Sequence, residues 1–105
     1  MNERIYHDVF GDDIVLTDSV RALILIKYPE TVDFIDQIGL VLADPDQVRR
    51  SIRDGRSVLY YQFKAAILNG KWVVVVVKRI DRNFISTVYA TDQVKSGEAI
   101  WTKNK

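Results

Sequence analysis

The sequence predicts an α+β fold in which two N-terminal helices pack on an antiparallel β-meander. Before residue 45, apolar residues recur at helical spacing. After it come an apolar run from Trp72 to Val77 and a second strand-like segment from Phe84 to Ala90. Asn69-Gly70 precedes them and is a strong short-range signal for a hairpin. Helices followed by sequential strands indicate helices on one face of an antiparallel sheet.

The first elements are a short strand and a helix. Asp13 to Leu16 is predicted as the strand, and Thr17 follows as a favourable N-cap residue. The helix should end near Lys27, because Pro29 disfavours helical geometry at the residue before it.

A second helix is predicted to begin at Pro29-Glu30 and to stop near Asp44-Pro45. Its apolar residues are three and four positions apart, which places them on one face: Val32, Ile35, Ile38 and Leu42. Residues 46–51 can add a helical turn. The run Arg53-Asp-Gly-Arg56 has the residue types of a turn.

Three strands are expected in the rest of the chain. The first runs from Val58 to Phe63, or as far as Leu68, and the others from Trp72 to Ile80 and from Phe84 to Ala90. Gly97 is expected in a turn and Trp101 over the core.

The pairing of the last two of these strands has two alternatives. A two-residue loop at residues 81–82 pairs Lys78 with Ile85 and puts Lys78, Thr87 and Tyr89 on one face. A three-residue loop at residues 81–83 pairs Lys78 with Ser86 instead, because a slip of one residue reverses every side chain.

Composition narrows the class of protein. The 105 residues suffice for one domain, residues 1–105, and include no cysteine. A thiol nucleophile, a zinc ribbon and a disulfide framework are therefore excluded. No apolar run approaches the ~18 residues that span a bilayer, and the first residues lack a signal-peptide pattern. We expect a cytoplasmic protein without a membrane partner.

Charge is distributed unequally along the chain. Residues 1–45 carry three basic and nine acidic side chains, a net charge of −6, whereas residues 46–105 carry twelve and five, a net charge of +7. Such a division indicates either an acidic helical layer packed on a basic sheet or a basic surface that binds an anion such as nucleic acid.

Metal and cofactor sites have little support. Asp8, Asp12 and Asp13 form an acidic cluster, but their spacing matches no calcium loop. The single histidine, His7, provides no set of zinc ligands. The five glycines are scattered, so no phosphate-binding glycine-rich loop is present. We expect no metal and no cofactor.

Several segments in order resemble a known nuclease family. They are Leu16-Thr17, Leu23 to Glu30, Asp44-Pro45, Tyr60-Tyr61, Val75 to Lys78, Phe84 to Tyr89 and Lys95 to Trp101. This frame is similar to that of the phage-associated barnase/EndoU/colicin/RelE-like nuclease domains. The resemblance covers nearly the whole chain and rests on order and spacing. It implies a ribonuclease fold of helices against an antiparallel sheet, with substrate on the open sheet face.

Strand parity gives the candidate catalytic residues for such a site. With the two-residue loop, Lys78 would neutralise a phosphate, Thr87 would donate to its oxygen, and Tyr89 would stack a base or donate a proton. With the three-residue loop, Ser86 replaces Thr87 as the neighbour of Lys78. Substrate-binding roles fall to four further residues: Lys27, Tyr28, Tyr61 and Ser86. Each also has a structural interpretation, since Thr and Tyr favour strands and a lysine often ends one.

The chain departs from the family at the helix before Pro29. Family members typically carry a histidine seven residues before the glutamate and another directly before the proline. Leu23 and Tyr28 stand at those positions here.

The leading hypothesis is a metal-independent endoribonuclease, or an RNA-binding relative, of phage or toxin type. The alternative is a catalytically inactive module that binds protein or RNA, including a homodimer formed through the exposed edge of the meander.

Overall fold

One mixed sheet of seven strands organises the computed structural model, which describes residues 3–66, 70–94 and 97–103. The strands are Glu3–His7 (β1), Asp13–Thr17 (β2), Gln47–Ser51 (β3), Ser57–Lys64 (β4), Lys71–Arg79 (β5), Asn83–Thr91 (β6) and Gly97–Thr102 (β7). Their spatial order is β1-β2-β6-β5-β4-β3-β7. Neighbours are antiparallel except for β2 and β6, which are parallel and meet at one Cα pair, Val15 and Phe84.

The helical segment lies between β2 and β3. Helix α1 spans Asp18–Lys27, and the amide of Val20 donates to Oγ1 of its N-cap, Thr17, at 3.3 Å, as the sequence predicts. Two 3₁₀ segments, Pro29–Asp33 and Ile35–Gln37, and helix α2, Ile38–Ala43, follow. Within the described residues neither α-helix is long and apolar enough to cross a membrane.

The predicted second helix is divided because Phe34 leaves the helical conformation. Its backbone has φ −141° and ψ 7°, and its side chain is buried in the core. Thr31 stabilises the preceding turn, since its hydroxyl donates to the carbonyl of Tyr28 at 2.7 Å. A continuous helix would break these local arrangements.

The core fills the sheet face that receives the helices. Ile24, Phe34 and Ile38 from the helical segment pack against Val75 and Val88 of the central strands. The opposite face, which we call the second face, has a smaller apolar cluster. It consists of Leu59, Tyr61 and Val74, with Trp72, Val76, Tyr89 and Val94 packed around them.

The predicted fold class, two N-terminal helices on an antiparallel meander, is wrong. Strand residues make up 49% of the described residues and helical residues 25%, and two strands precede the helices. Residues 47–51 form β3 rather than a helical turn, and Gly97 begins β7 rather than a turn. Strand β3 lies between two neighbours, so pairing on both sides determines its conformation although its sequence, QVRRS, is polar.

The pairing of β5 with β6 combines features of both predicted registers. Val76 pairs with Thr87 and Val74 with Tyr89, as a two-residue loop requires. An irregularity then shifts the ladder, and Lys78 lies opposite Phe84. The predicted partners of Lys78, Ile85 and Ser86, are therefore both wrong. Of the predicted Asn69-Gly70 turn, Asn69 lies outside the described residues, as does Leu68.

Opposite charges join the two halves of the chain. Arg79 forms ion pairs with Asp8 and Asp12, Arg82 with Glu3, and Lys103 with Asp44. Three of the four acidic partners lie on β1 or in the β1–β2 connection, and only Asp44 lies at the end of a helix. These contacts are therefore not those of the predicted acidic helical layer on a basic sheet.

Candidate functional site

A cleft of about 520 Å³ opens on the second face, between the β3–β4 connection and β6. We call it the Tyr89 cleft. The turn at residues 53–56 forms one rim through Arg53, and a hydrogen bond from the Arg56 amide to Asp54 organises its backbone. The cleft is lined by Ser51, Ile52, Arg53, Ser57, Leu59, Val76 and Tyr89.

Tyr89 lies half-buried within an aromatic cluster. Its ring centroid is 6.0 Å from that of Tyr28, and Lys27 Nζ lies 5.4 Å from the Tyr28 centroid. Burial, followed by the electrostatic influence of the neighbouring Tyr61 and Tyr28, raises the pKa of Tyr89 to about 12. At neutral pH Tyr89 is therefore a neutral phenol that can donate a hydrogen bond or stack.

Lys78 lies beside the cleft and forms an ion pair with Asp54. The same Asp54 oxygen, Oδ2, accepts from the Ser57 hydroxyl at 2.9 Å, and Oδ1 accepts from the Arg56 amide at 3.0 Å. The hydrogen bond from Lys78, followed by those from Arg56 and Ser57, lowers the pKa of Asp54 to about 2. The charge of Lys78 is thus compensated within the chain, and Asp54 holds the rim in place.

Ser86 and Thr87 face a different cleft. It has a volume of about 320 Å³ and is largely apolar, with Leu23, Ile26 and Lys27 of α1 on its other side. The Ser86 hydroxyl also donates to the carbonyl of Val76 at 3.3 Å. The three predicted catalytic residues are therefore not brought together: Tyr89 lines one cleft, Thr87 lines another, and Lys78 is paired with Asp54. The residues that do lie beside Tyr89 are Tyr28 and, next to it, Lys27.

Tyr61, which the sequence analysis gives as a substrate-binding residue, is completely buried. The rings of Tyr61 and Trp72 pack edge to face, with centroids 6.3 Å apart. Tyr60 is equally buried on the core face. Because β4 is covered on both faces, Tyr61 supports the aromatic cluster from beneath.

A buried polar network on the core side was not predicted. The Tyr60 hydroxyl donates to Asp8 Oδ2 at 2.5 Å, and Arg79 Nη2 donates to the same oxygen at 3.0 Å. Arg79 Nη1 donates to Asp12 Oδ2 at 3.1 Å. Burial, together with the bond to Asp8, raises the pKa of Tyr60 well above its ordinary value. The acidic cluster in the sequence was a signal, but its partners follow only from the topology.

The side chains that line the Tyr89 cleft offer an aromatic ring, a guanidinium and two hydroxyls. Arg53 is exposed, and its guanidinium makes no ion pair or hydrogen bond with the residues that the structure describes. The described lining residues include no carboxylate and no imidazole that could act as a general base. Within residues 3–66, 70–94 and 97–103, no group of three or more His, Asp or Glu side chains could hold a metal ion.

Neither the family models, the curated proteins nor the solved structures yielded a match to this chain.

Proposed function

We propose that this domain binds single-stranded RNA on its second face, at the Tyr89 cleft. The observation that carries the proposal is the combination of a half-buried tyrosine ring with an exposed guanidinium on the rim. Tyr89 supplies an aromatic surface for an unpaired base, and Arg53 supplies a positive charge for a phosphate.

The remaining lining residues suit the same ligand. Leu59 and Val76 provide apolar contacts, and the hydroxyls of Ser51 and Ser57 can exchange hydrogen bonds with sugar or base. A volume of about 520 Å³ lies within the ordinary range of ligand clefts. Lys27, which contacts Tyr28 beyond Tyr89, extends the positive charge toward α1.

The geometry supports binding more than cleavage. Attack by a 2′-hydroxyl needs a group that accepts its proton. The phenol of Tyr89 is neutral below its raised pKa, and Asp54, with a pKa of about 2, is a weak base. Lys78 is paired with Asp54 and Thr87 lies at the other cleft. An endoribonuclease that uses Lys78, Thr87 and Tyr89 together would need a rearrangement of these side chains.

The test measures fluorescence anisotropy of a labelled RNA of about eight nucleotides across a salt series that starts near 50 mM. Wild-type protein should bind, with affinity that falls as salt rises. Arg53→Ala should reduce affinity about three- to tenfold and lower the salt slope by about one phosphate contact. Tyr89→Phe should retain binding and Tyr89→Ala should lose it, because stacking needs the ring and not the hydroxyl.

Arg4→Ala is the matched control, because Arg4 is an exposed arginine on β1 without an ion pair to a described residue. Equal effects of Arg53→Ala and Arg4→Ala would contradict the proposed site. Absence of binding at low salt would contradict RNA binding altogether and favour a protein-interaction module.

The same samples, kept in EDTA and run on a sequencing gel, test the hypothesis of cleavage. Intact RNA supports a binding module. Fragments with a cyclic phosphate end, lost in a Lys78→Ala, Thr87→Ala double variant, would instead identify a metal-independent endoribonuclease.

A further inference from the structure

Strand β1 forms an outer edge of the sheet, with β2 on one side and no described strand on the other. Its ladder with β2 is regular from Glu3–Thr17 to His7–Asp13. The opposite edge strand, β7, has an irregular register with β3, and such irregularities protect sheet edges from further pairing. The β1 edge lacks this protection.

The direction of the β1 backbone groups follows from one hydrogen bond. The Asp8 amide donates to the carbonyl of Asp12 at 3.0 Å, so the backbone of residue 8 points toward β2. Backbone groups alternate in direction along a strand. Arg4 and Tyr6 therefore also point toward β2, whereas Glu3, Ile5 and His7 direct their N–H and C=O groups outward.

The side chains of these same three residues are exposed. Ile5 is 59% exposed, which is unusual for an isoleucine at the centre of a strand, and it lies across the ladder from Val15. Glu3 and His7 flank it, and each already has a partner within the chain: Glu3 Oε1 lies 3.2 Å from Arg82 Nη2, and His7 Nδ1 lies 2.8 Å from Asp13 Oδ1. The edge thus presents an apolar centre between two polar side chains whose partners lie in the same chain.

We propose that β1 pairs antiparallel with β1 of a second copy of this chain, with Ile5 opposite Ile5 of that copy. A two-fold axis normal to the sheet leaves each side chain on the same face of the combined sheet. Two residues that lie opposite each other across the axis must therefore differ in sequence number by an even number. Centring the axis on Ile5 places Glu3 opposite His7 at both ends. All three outward-facing residues then form hydrogen-bonded pairs, with about six main-chain hydrogen bonds.

Neighbouring registers are less favourable. An axis centred on Arg4 opposes two arginines, and like charges directly opposite are destabilising. An axis centred on Tyr6 places Ile5 opposite His7 and so removes the apolar contact between the two Ile5 side chains. Each of these shifts also leaves one hydrogen-bonded pair fewer. Sequence and backbone direction together therefore select the register centred on Ile5.

Sedimentation velocity of the full chain, from about 1 μM to about 500 μM, tests the proposal. Wild-type protein should shift from monomer to dimer over this range. Ile5→Lys and Ile5→Glu should each weaken the dimer at least about tenfold, because each opposes two like charges. An equal mixture of the two variants should form a heterodimer, because the introduced lysine and glutamate then lie opposite each other.

Val32→Lys is the matched control, since Val32 is 65% exposed and lies outside the sheet. It should dimerise like wild type. The proposal is overturned if the wild-type chain stays monomeric, if Ile5→Lys dimerises as well as Val32→Lys, or if the mixture of variants stays monomeric. Far-UV circular dichroism of each variant establishes that it is folded.

Discussion

Arg79 and Tyr60 are joined by a hydrogen bond from Nη2 of the guanidinium to the phenol oxygen, 2.7 Å long. Both groups also donate to Asp8, whose side chain is fully buried. Asp8 completes its set of partners with the amides of Phe10 and Asp12, at 3.0 and 2.8 Å. The β1–β2 connection is thereby bonded to β4 and β5.

Replacing Arg79 should be the more costly of two arginine substitutions. Arg79→Leu leaves the buried Asp8 carboxylate without its cationic partner, and we expect the free energy of unfolding to fall by about 2–4 kcal/mol. Arg82→Leu, which removes an exposed pair with Glu3, should cost less than about 1 kcal/mol. Urea denaturation of both variants measures the difference, and equal losses would show that the network contributes little.

The Asp54 carboxylate should stabilise the fold near neutral pH, and this contribution should be lost in acid. Its pKa is lowered from 3.8 to about 2 in the fold, so its contribution is complete above 3.8 and is lost as the pH falls through about 2. The Tm of Asp54→Asn should therefore lie below that of wild type near pH 5, with a gap that narrows on acidification. A gap independent of pH would mean that the carboxylate charge is not the stabilising group.

Tyr89 should titrate later than an ordinary tyrosine. Subtracting the alkaline absorbance titration of Tyr89→Phe from that of wild type should give a component with a pKa of about 12. Because the neutral phenol is favoured in the fold, its stabilising contribution is complete below pH 10 and is lost as the pH rises through about 12. A component that titrates near 10 would place Tyr89 in solvent.

Two glycines should respond in opposite ways to alanine. A Cβ at Gly97 would lie 2.6 Å from the backbone oxygen of Arg50, so Gly97→Ala should force β7 away from β3 and cost about 1–3 kcal/mol. A Cβ at Gly55 meets nothing within 4 Å, and Gly55→Ala should be neutral or slightly stabilising. Thermal denaturation compares the two, and equal Tm values would argue against the close approach at Gly97.

The sequence correctly predicted those elements whose conformation depends on a few neighbouring residues. Thr17 caps α1, Pro29 ends it, and the valine run forms the central strand, each for a reason contained in a few neighbouring residues. Strands β1 and β3 have short, polar sequences, and their conformation depends on strands distant in the chain. The fold class was therefore wrong although several elements were correct.

In the candidate site, too, the sequence predicted what depends on neighbouring residues and missed what depends on distant ones. Parity along β6 placed Tyr89 and Thr87 on one face, but the irregular register moved Lys78 opposite Phe84. Arg53 was read only as part of a turn, because nothing in its neighbourhood indicates that it borders a cleft. The partners of Lys78 and Arg79 are 24 and 71 residues away along the chain. Such contacts require the topology.

The single Cα pair between β2 and β6 has a consequence for how the native protein opens. The β1–β2 hairpin should detach as a cooperative unit while β4, β5 and β6 stay closed, because so little of the ladder holds it. In D₂O, the amides of residues 14–16 should exchange before those of residues 73–77. The contacts of Arg79 with Asp8 and Asp12 would then set the free energy of this opening, and Arg79→Leu should accelerate exchange in the hairpin selectively.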